Sequence, residues 1–227
     1  RRSPPARSDV RTVCARYTGL RWDGIAGMGD GKQGSGGGLI TAVEPGSLAE
    51  ALGVRPGDVL WEVNGEPVED VIDVQYYAAE YHVTLTLTRG DEAITLSGGR
   101  HDMQPLGLVF AHPTFDIDIR RCNNLCEFCF VLQMAPRLRR TLYIKDDDYR
   151  YSFLFGHYVT LTNLSQHDKW RIVEQGLSPL YISVHATDPD LRRRVLRNPD
   201  APDIMEQLEW LAGEGIETHT QIVVTPG

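Results

Sequence analysis

Three of the four cysteines in this 227-residue chain lie within eight positions, and this cluster limits the possible folds more than any other feature. Cys122, Cys126 and Cys129 have CxxxCxxC spacing, and Phe128 comes just before the third cysteine. They are too closely grouped to pair sensibly as disulfides, and Cys14 stands alone. Because thiolates bind soft metals tightly, one loop of this kind can hold three corners of an iron–sulfur cluster and leave a fourth iron open.

A structural zinc site is the alternative interpretation of the same cysteines. One of His101, His112 and His157 could complete a tetrahedral site with the three thiolates. The sequence lacks the paired CxxC motifs of most structural zinc sites, however, and no histidine follows at a short conventional spacing. The pattern therefore favours an iron–sulfur cluster.

Composition is that of an ordinary globular protein, with 41% hydrophobic and 24% charged residues. The net charge is −8, to which residues 1–37 contribute +4 and the remainder −12. An acidic body argues against a nucleic-acid partner. One local basic cluster is present, and we interpret it as a solvated helix end; its members are Arg137, Arg139, Arg140 and Lys145.

No targeting or membrane segment is evident in the sequence. No apolar run approaches the about 20 residues that cross a bilayer, and no signal-peptide core follows the first arginines. We therefore predict a cytoplasmic protein with no membrane partner, in which the thiols stay reduced.

The first 37 residues lack any hydrophobic periodicity. They are rich in glycine, proline and arginine, so we predict a disordered lead-in or linker over residues 1–37. A folded strand or two around Tyr17 and Trp22 is the alternative.

Residues 38–100 carry the pattern of a small strand-rich module. Ser47 and Glu50 form a capping box that opens a short helix, and Asp70 can cap a second one. Asn64-Gly65 is typical of a tight turn. Apolar or alternating segments predict four strands, over residues 39–43, 59–63, 83–87 and 93–96.

The run GLITAVEPGSLAEALGVRPGDVLWEVNG, from Gly38 to Gly65, resembles a PDZ domain of the kind attached to bacterial proteases. PDZ domains take an extended peptide as an added strand and hold its terminal carboxylate in a loop of backbone amides. The resemblance therefore implies a protein or peptide partner. A structural or intramolecular docking role is the alternative.

Residues 101–227 alternate between strands and helices. The pattern predicts strands over residues 115–119, 158–162, 181–185 and 218–224. Between them it predicts helices over 168–176, from Asp188-Pro189, and from Asp200 as a cap. Such alternation is typical of an α/β fold with a parallel sheet that curves into a full or partial barrel. The cysteine loop and Asn163, His185 and Thr225 would then lie at or near the carboxyl ends of strands, where sites form.

The CxxxCxΦC motif, in which Phe128 is the aromatic residue, followed by alternating helices and strands, resembles the radical SAM superfamily. More narrowly, CNNLCEFCFVLQMAPRLRRTLYIKDDDYRYSFLFGHYVTLTNLS and LYISVHATDPDLRRRVLRNPDAP resemble a bacterial family of radical SAM proteins that begin with a PDZ-like module. The resemblance implies a small PDZ-like domain followed by a partial parallel (β/α) radical SAM barrel.

This resemblance implies a cofactor and a reaction class. Cys122, Cys126 and Cys129 would ligate three irons of a [4Fe-4S] cluster, and S-adenosyl-L-methionine would chelate the fourth. One electron, from a donor such as ferredoxin or flavodoxin, would cleave the cofactor to methionine and a 5′-deoxyadenosyl radical that abstracts a hydrogen atom. The implied activity is that of an oxidoreductase acting on an unknown substrate.

The resemblance also implies four cofactor-binding residues. Phe128 would place its backbone near the adenine, and the amide oxygen of Asn163 would accept a bond from the amino group of the cofactor. Ser183 and His185 alternate on one predicted strand, so they would face the same side and reach the ribose or the substrate. A structural role at a strand end is the alternative for both.

The length of the second region qualifies this function. A complete radical SAM core has six strand–helix units, whereas about four strands are predicted here, so we expect the chain to lack the end of the barrel and to be inactive by itself if those units are needed. The alternative function is a non-catalytic PDZ-type peptide-binding or scaffold fragment. RNA modification is a third possibility, implied by the resemblance of the Ser183-Val184-His185-Ala186 strand to that of some radical SAM enzymes that act on RNA, and opposed by the acidic charge.

Overall fold

The computed structural model of the chain describes residues 36–101 and 104–225. These residues divide into two compact units, and the division falls between Asp118 and Ile119. Most of the predicted lead-in lies outside the described residues, as does Cys14. Within the described ranges, no helix combines the length and the apolar character needed to span a bilayer.

The first unit is built on one antiparallel sheet. Its strands follow the order β5-β4-β2-β1-β6, and β3 pairs with β2 alongside this path. Two short helices connect the strands. In chain order the elements are β1 (Gly38–Val43), α1 (Leu48–Ala51), β2 (Val59–Val63), β3 (Glu66–Pro67), α2 (Val71–Tyr77), β4 (His82–Arg89), β5 (Glu92–Gly99) and β6 (Leu108–Phe110).

Local sequence signals explain most of this unit. In β4 the apolar residues Val83, Leu85 and Leu87 alternate with polar ones and are fully buried, as expected for a strand with one face on the core. The side chain of Ser47 accepts a hydrogen bond from the Glu50 amide and caps α1. All four predicted strands are confirmed, because alternation, caps and turn residues agree.

The sequence did not predict β6, which pairs with β1 on one edge of the sheet. Three residues are too few to display a period, so the strand left no pattern to detect. The turn before it depends on Gly107. This residue has a φ of +75°, and a Cβ there would lie 2.1 Å from the Cβ of Ser47, so only glycine fits.

The predicted strand over residues 115–119 is wrong. The Phe115 ring packs on the Phe110 ring with centroids 4.8 Å apart, and the Phe115 amide donates to the Glu69 carbonyl at 2.7 Å. Ile117 is largely exposed, so the alternating apolar residues do not share a buried face. Burial of one aromatic ring in the first unit outweighs the strand pattern, and the segment forms bends.

The second unit mixes helices with a small parallel sheet. Residues Leu180 to Ser183 pair in register with Thr218 to Gln221, and Val159 forms a parallel bridge with Ile182 on the other side. The elements are a short 3-10 helix (Arg140–Tyr143), α3 (Tyr149–Phe155), α4 (Gln166–Glu174), β7 (Leu180–Ser183), α5 (Pro189–Leu196), α6 (Ile204–Gly213) and β8 (Thr218–Gln221).

The predicted α/β alternation is therefore confirmed for the central part of this unit. Three successive parallel segments are separated by helices, although the predicted strand over 158–162 is reduced to one bridge residue. Among residues 119–225, the pairing does not extend to a closed barrel.

Two of the predicted helix starts are displaced, since α4 begins two residues earlier than predicted and α6 three residues later. Ser165 caps α4, because Asp168 serves as the third residue of a capping box and accepts from the Ser165 amide. Asp203, not Asp200, caps α6. Asp188 caps α5 as predicted, with Pro189 in the first helical turn.

The Asp58–Arg89 pair joins the start of β2 to β4 in the first unit. The buried Asp58 carboxylate accepts from Arg89 at 2.7 and 2.8 Å and from the Arg55 amide at 2.8 Å. The hydrogen bond from Arg89 lowers the pKa of Asp58 below its usual value despite burial. We expect Asp58→Ala to speed amide exchange in β2 and β4 about tenfold, because the part-buried Arg89 guanidinium and the Arg55 amide lose their acceptor.

Peptide-level hydrogen exchange measures this effect. Asp91→Ala, at the exposed turn between β4 and β5, is the matched control and should leave exchange in β2 unchanged. Equal protection in the Asp58→Ala and Asp91→Ala chains would contradict the assigned role.

Candidate functional site

The cysteine loop is irregular, and its ends are anchored to other segments of the second unit. Before the loop, Arg121 forms an antiparallel bridge with Asp146. The Cys122 amide donates to the Lys145 carbonyl at 2.7 Å, and the Leu125 amide donates to the Leu196 carbonyl at 2.9 Å. The loop thus follows an antiparallel bridge instead of the predicted parallel strand, and the end of α5 supports it.

The three thiols of the loop are free and half-buried. Burial raises the pKa of Cys126 to about 11, and the neighbouring Cys122 and Cys129 thiols add to this rise. Burial also raises the pKa of Cys122. The three sulfur atoms are therefore close enough to influence one another, and Lys145 supplies a positive charge that acts in the opposite sense on both shifted thiols.

Lys145 contacts the cysteine loop and is not part of the exposed basic cluster. Its Nζ donates to the Asn124 carbonyl, and the residue is half-buried. The other three members, Arg137, Arg139 and Arg140, are exposed around the short 3-10 helix.

Within residues 36–101 and 104–225, no three or more His, Cys, Asp or Glu side chains converge so as to hold a single metal ion. His157, one of the histidines considered for zinc, pairs with Asp146 at 2.7 Å. A cluster differs from a single ion because each thiolate binds its own iron, so the sulfur atoms need not share one centre. The donor set of three thiols on one loop fits a cluster better than a mononuclear site.

Asn124 is the centre of a buried polar network behind the cysteines. It is fully buried, and its Nδ2 lies 3.2 Å from the Cys122 Sγ, 2.8 Å from the Thr160 Oγ1 and 3.0 Å from the Thr162 Oγ1. Its Oδ1 accepts from the Asn198 Nδ2 at 2.8 Å. One carboxamide thus joins the loop to the segment around residue 160 and to Asn198, two residues after the end of α5.

Asp147 lies behind the same threonines. The Thr160 hydroxyl donates to its Oδ2 at 2.7 Å, and the Thr160 amide donates to its Oδ1. Burial raises the pKa of Asp147, although these hydrogen bonds act in the opposite direction. The carboxyl group fixes the direction of the Thr160 hydroxyl proton. The oxygen of that hydroxyl is then left to accept a hydrogen bond from Asn124.

Two non-glycine residues with left-handed backbone lie where the parallel segments end. Leu161 has a φ of 58° and His185 a φ of 64°. Such conformations cost free energy and persist only where the surroundings fix them. Here the buried Arg192 donates to the carbonyls of Thr160 and Val184 at 2.8 and 3.1 Å, and Gln207 donates to the Leu161 carbonyl at 3.0 Å.

His185 and Phe128 lie in contact. Their rings meet edge to face with centroids 4.6 Å apart. The His185 Nδ1 accepts from the Val223 amide at 3.3 Å, which leaves the proton of the neutral ring on Nε2. Burial and the charge of Arg192 lower the pKa of His185 to about 4.

Asn163 and Ser183 are held by other groups. The Asn163 Nδ2 donates to the Asp147 carbonyl at 3.1 Å, and among the described residues its Oδ1 has no hydrogen-bond partner. The buried Ser183 Oγ accepts from the Gln221 Nε2 at 3.2 Å. The sequence predicted that strand alternation places the Ser183 and His185 side chains on one face. This is not the case, because β7 ends at Ser183 and His185 has left-handed backbone.

Sequence reasoning did not identify the residues that support the loop. Asn124 lies inside the cysteine motif, and Thr160 and Thr162 flank a buried leucine, which is a detectable sign of a polar face. Nothing local marks Asn198, because its role depends on a partner 74 positions away.

The low pKa of His185 predicts how stability depends on pH. Above about pH 6.5 the ring is neutral in both folded and unfolded chains, and below it only the unfolded chain gains a proton until about pH 4. We expect a loss of about 1–2 kcal/mol over this window, after allowance for partial exposure of the ring.

Urea unfolding at a series of pH values measures this loss. His185→Asn should reduce the pH dependence, since asparagine tolerates left-handed backbone and does not titrate. His219→Asn changes an exposed histidine and is the matched control. Identical pH profiles for the wild type and His185→Asn would contradict the prediction.

Comparison with protein families gave two matches. The model of a PDZ domain matches residues 39–89. The model described as a radical SAM-like domain matches residues 100–227, which is more than half of the chain.

A search of curated proteins gave no match to the chain. The family matches nevertheless agree with the fold, since the first lies on the antiparallel sheet and the second includes the whole cysteine loop and the parallel segments. The chain belongs to the family with a radical SAM-like domain and combines that domain with a preceding PDZ domain.

Proposed function

We propose that this chain is a radical SAM oxidoreductase that binds a [4Fe-4S] cluster and S-adenosyl-L-methionine. The observation that carries the proposal is the set of three free, half-buried thiols on one loop inside the family-matched region. Cys122, Cys126 and Cys129 are the proposed ligands. Free thiols suit a reducing compartment, so a cytoplasmic location is part of the proposal.

When bound, the cluster and its cofactor supply one-electron chemistry that produces a 5′-deoxyadenosyl radical able to abstract a hydrogen atom. The chain itself provides ligands, orientation and exclusion of water. Since burial raises the pKa of Cys122 and Cys126, both thiols carry protons at neutral pH before the cluster binds. Ligation would release these protons, and Lys145 would offset part of the resulting negative charge.

We assign Phe128 and His185 to the cofactor pocket as a pair. Their edge-to-face contact supports a common wall beside the third cysteine. His185 remains neutral near pH 7 and keeps a proton on Nε2, so it can donate to a ribose hydroxyl or to the substrate without adding charge.

The two remaining proposed cofactor contacts differ in accessibility. The Oδ1 of Asn163 can accept a hydrogen bond from an amino group, because its Nδ2 already holds the amide in place. The hydroxyl of Ser183 is buried and bound to Gln221, so its proposed contact requires that pairing to open. An electron donor such as ferredoxin or flavodoxin completes the scheme.

Anaerobic reconstitution with iron and sulfide tests the proposal. We expect the wild-type chain to take up iron and to show the broad visible absorption of a thiolate-bound cluster. Cys126→Ala removes one ligand and should abolish most of that absorption, whereas Cys14→Ala, the matched control, should keep it. No iron uptake by the wild type, or equal loss in both variants, would overturn the proposal.

A second function, peptide binding, is favoured by the PDZ match to residues 39–89. In the described part of the first unit, β5 and β6 are the outer strands of the sheet. Such edges can pair with an extended peptide, which is the mode that PDZ domains use.

Peptide arrays with free and amidated carboxyl termini test this second function. PDZ-type recognition should favour free carboxylates, because backbone amides hold the terminal group. Binding that ignores the terminus, or no binding at all, would leave the first unit as a scaffold.

A further inference from the structure

We propose that Asn124 is a positioning residue that tunes the cluster through a hydrogen bond to the sulfur of Cys122, and that Asn198 sets the direction of this bond. The inference rests on the proposed function, since it assumes that Cys122 ligates iron. It assigns a role to two asparagines that are not ligands.

The orientation of the Asn124 amide follows from a backbone group. The Asp200 amide can only donate, and it donates to the Asn198 Oδ1 at 3.1 Å. The Asn198 Nδ2 must therefore face the other way, where it donates to the Asn124 Oδ1 at 2.8 Å. This contact in turn directs the Asn124 Nδ2 toward the Cys122 Sγ, at 3.2 Å.

The hydroxyl groups around Asn124 support the same orientation. The Thr160 hydroxyl donates to Asp147 at 2.7 Å, and the Thr162 hydroxyl donates to the Asn123 Oδ1 at 2.8 Å. Both hydroxyl oxygens are thus left as acceptors for Asn124. In the flipped orientation, the Asn124 Oδ1 would face the lone pairs of the two threonine hydroxyls and of the sulfur, where it has no donor to accept from.

Two Nδ2 protons serve three acceptors in this arrangement. Sulfur therefore shares a proton with the threonine hydroxyls while it is a neutral thiol. A thiolate bound to iron carries negative charge and attracts the donor more strongly, because charge-assisted hydrogen bonds are the stronger ones. Full burial of Asn124 keeps water from replacing the bond.

Such a bond affects the redox chemistry of the cluster. Hydrogen bonds to the sulfur atoms are among the factors that set the reduction potential of iron–sulfur clusters. A donor stabilises the more electron-rich reduced state, so the potential rises. A residue with only a packing role would not act in this way.

Redox titration of the reconstituted chain, followed by EPR, tests the inference. Asn124→Asp removes the donor. Asn198→Asp keeps the acceptor for the Asp200 amide but allows the Asn124 carboxamide to flip, so that its oxygen faces the sulfur. Both variants should have a lower midpoint potential than the wild type. Asn123→Asp is the matched control, because it adds the same charge beside Cys122 and keeps the oxygen that accepts from Thr162.

The inference predicts that both variants shift the potential further than the control does. Shifts no larger than that of Asn123→Asp, in chains that have taken up iron, would overturn it and leave the proposed function intact. A wild-type chain that takes up no iron would overturn both. Circular dichroism checks folding, and Asn198→Asp tests the same donor if Asn124→Asp does not fold.

A measurement on the wild type avoids substitutions altogether. Proton ENDOR on the reduced cluster should detect an exchangeable proton coupled to the iron, and this signal should disappear in D2O. The Asn124 backbone amide also hydrogen-bonds to the Cys122 sulfur, so Asn198→Asp should lose one exchangeable coupling and keep another, whereas Asn123→Asp should keep both. No exchangeable coupling in the wild type would overturn the inference.

Discussion

The second unit depends on one buried carboxamide. Asn124 bonds simultaneously to the loop that carries the cysteines, to the threonines around residue 160, and to Asn198 after α5. A buried polar group is costly when any partner is missing, so all of these segments must be in place together. The Thr160 hydroxyl also donates to Asp147, and its carbonyl accepts from Arg192. The ends of the parallel segments therefore depend on the same network.

The fold of the first unit was largely predictable because its information is local. Caps at Ser47 and Asp70, the Asn64-Gly65 turn and the alternation in β4 each specify a structure within a few residues. The failure at residues 115–119 has a different origin. Phe115 packs on Phe110, and no periodicity within a five-residue window can reveal which neighbouring unit will bury a ring.

The cysteine and aromatic pattern of the candidate site could be read from the sequence, but the residues that hold its loop in place could not. Cysteine spacing is visible in the sequence, and so is the aromatic residue beside Cys129, whereas the contact between Phe128 and His185 required coordinates. Strand alternation could not foresee the left-handed backbone of His185, because Arg192 and other distant residues stabilise it. The roles of the ligands and cofactor contacts stay predictions.

The dependence of the loop on Asn198 also has a consequence for the order of events during synthesis. The ribosome releases Asn124 well before its partner, which is 74 positions further along the chain. Until α5 has emerged and folded, the cysteine loop has neither the carbonyl of Leu196 nor the amide of Asn198 to hold it. Its thiols are therefore less protected in the nascent chain than in the folded unit, and the loop reaches its final conformation only after α5 has formed.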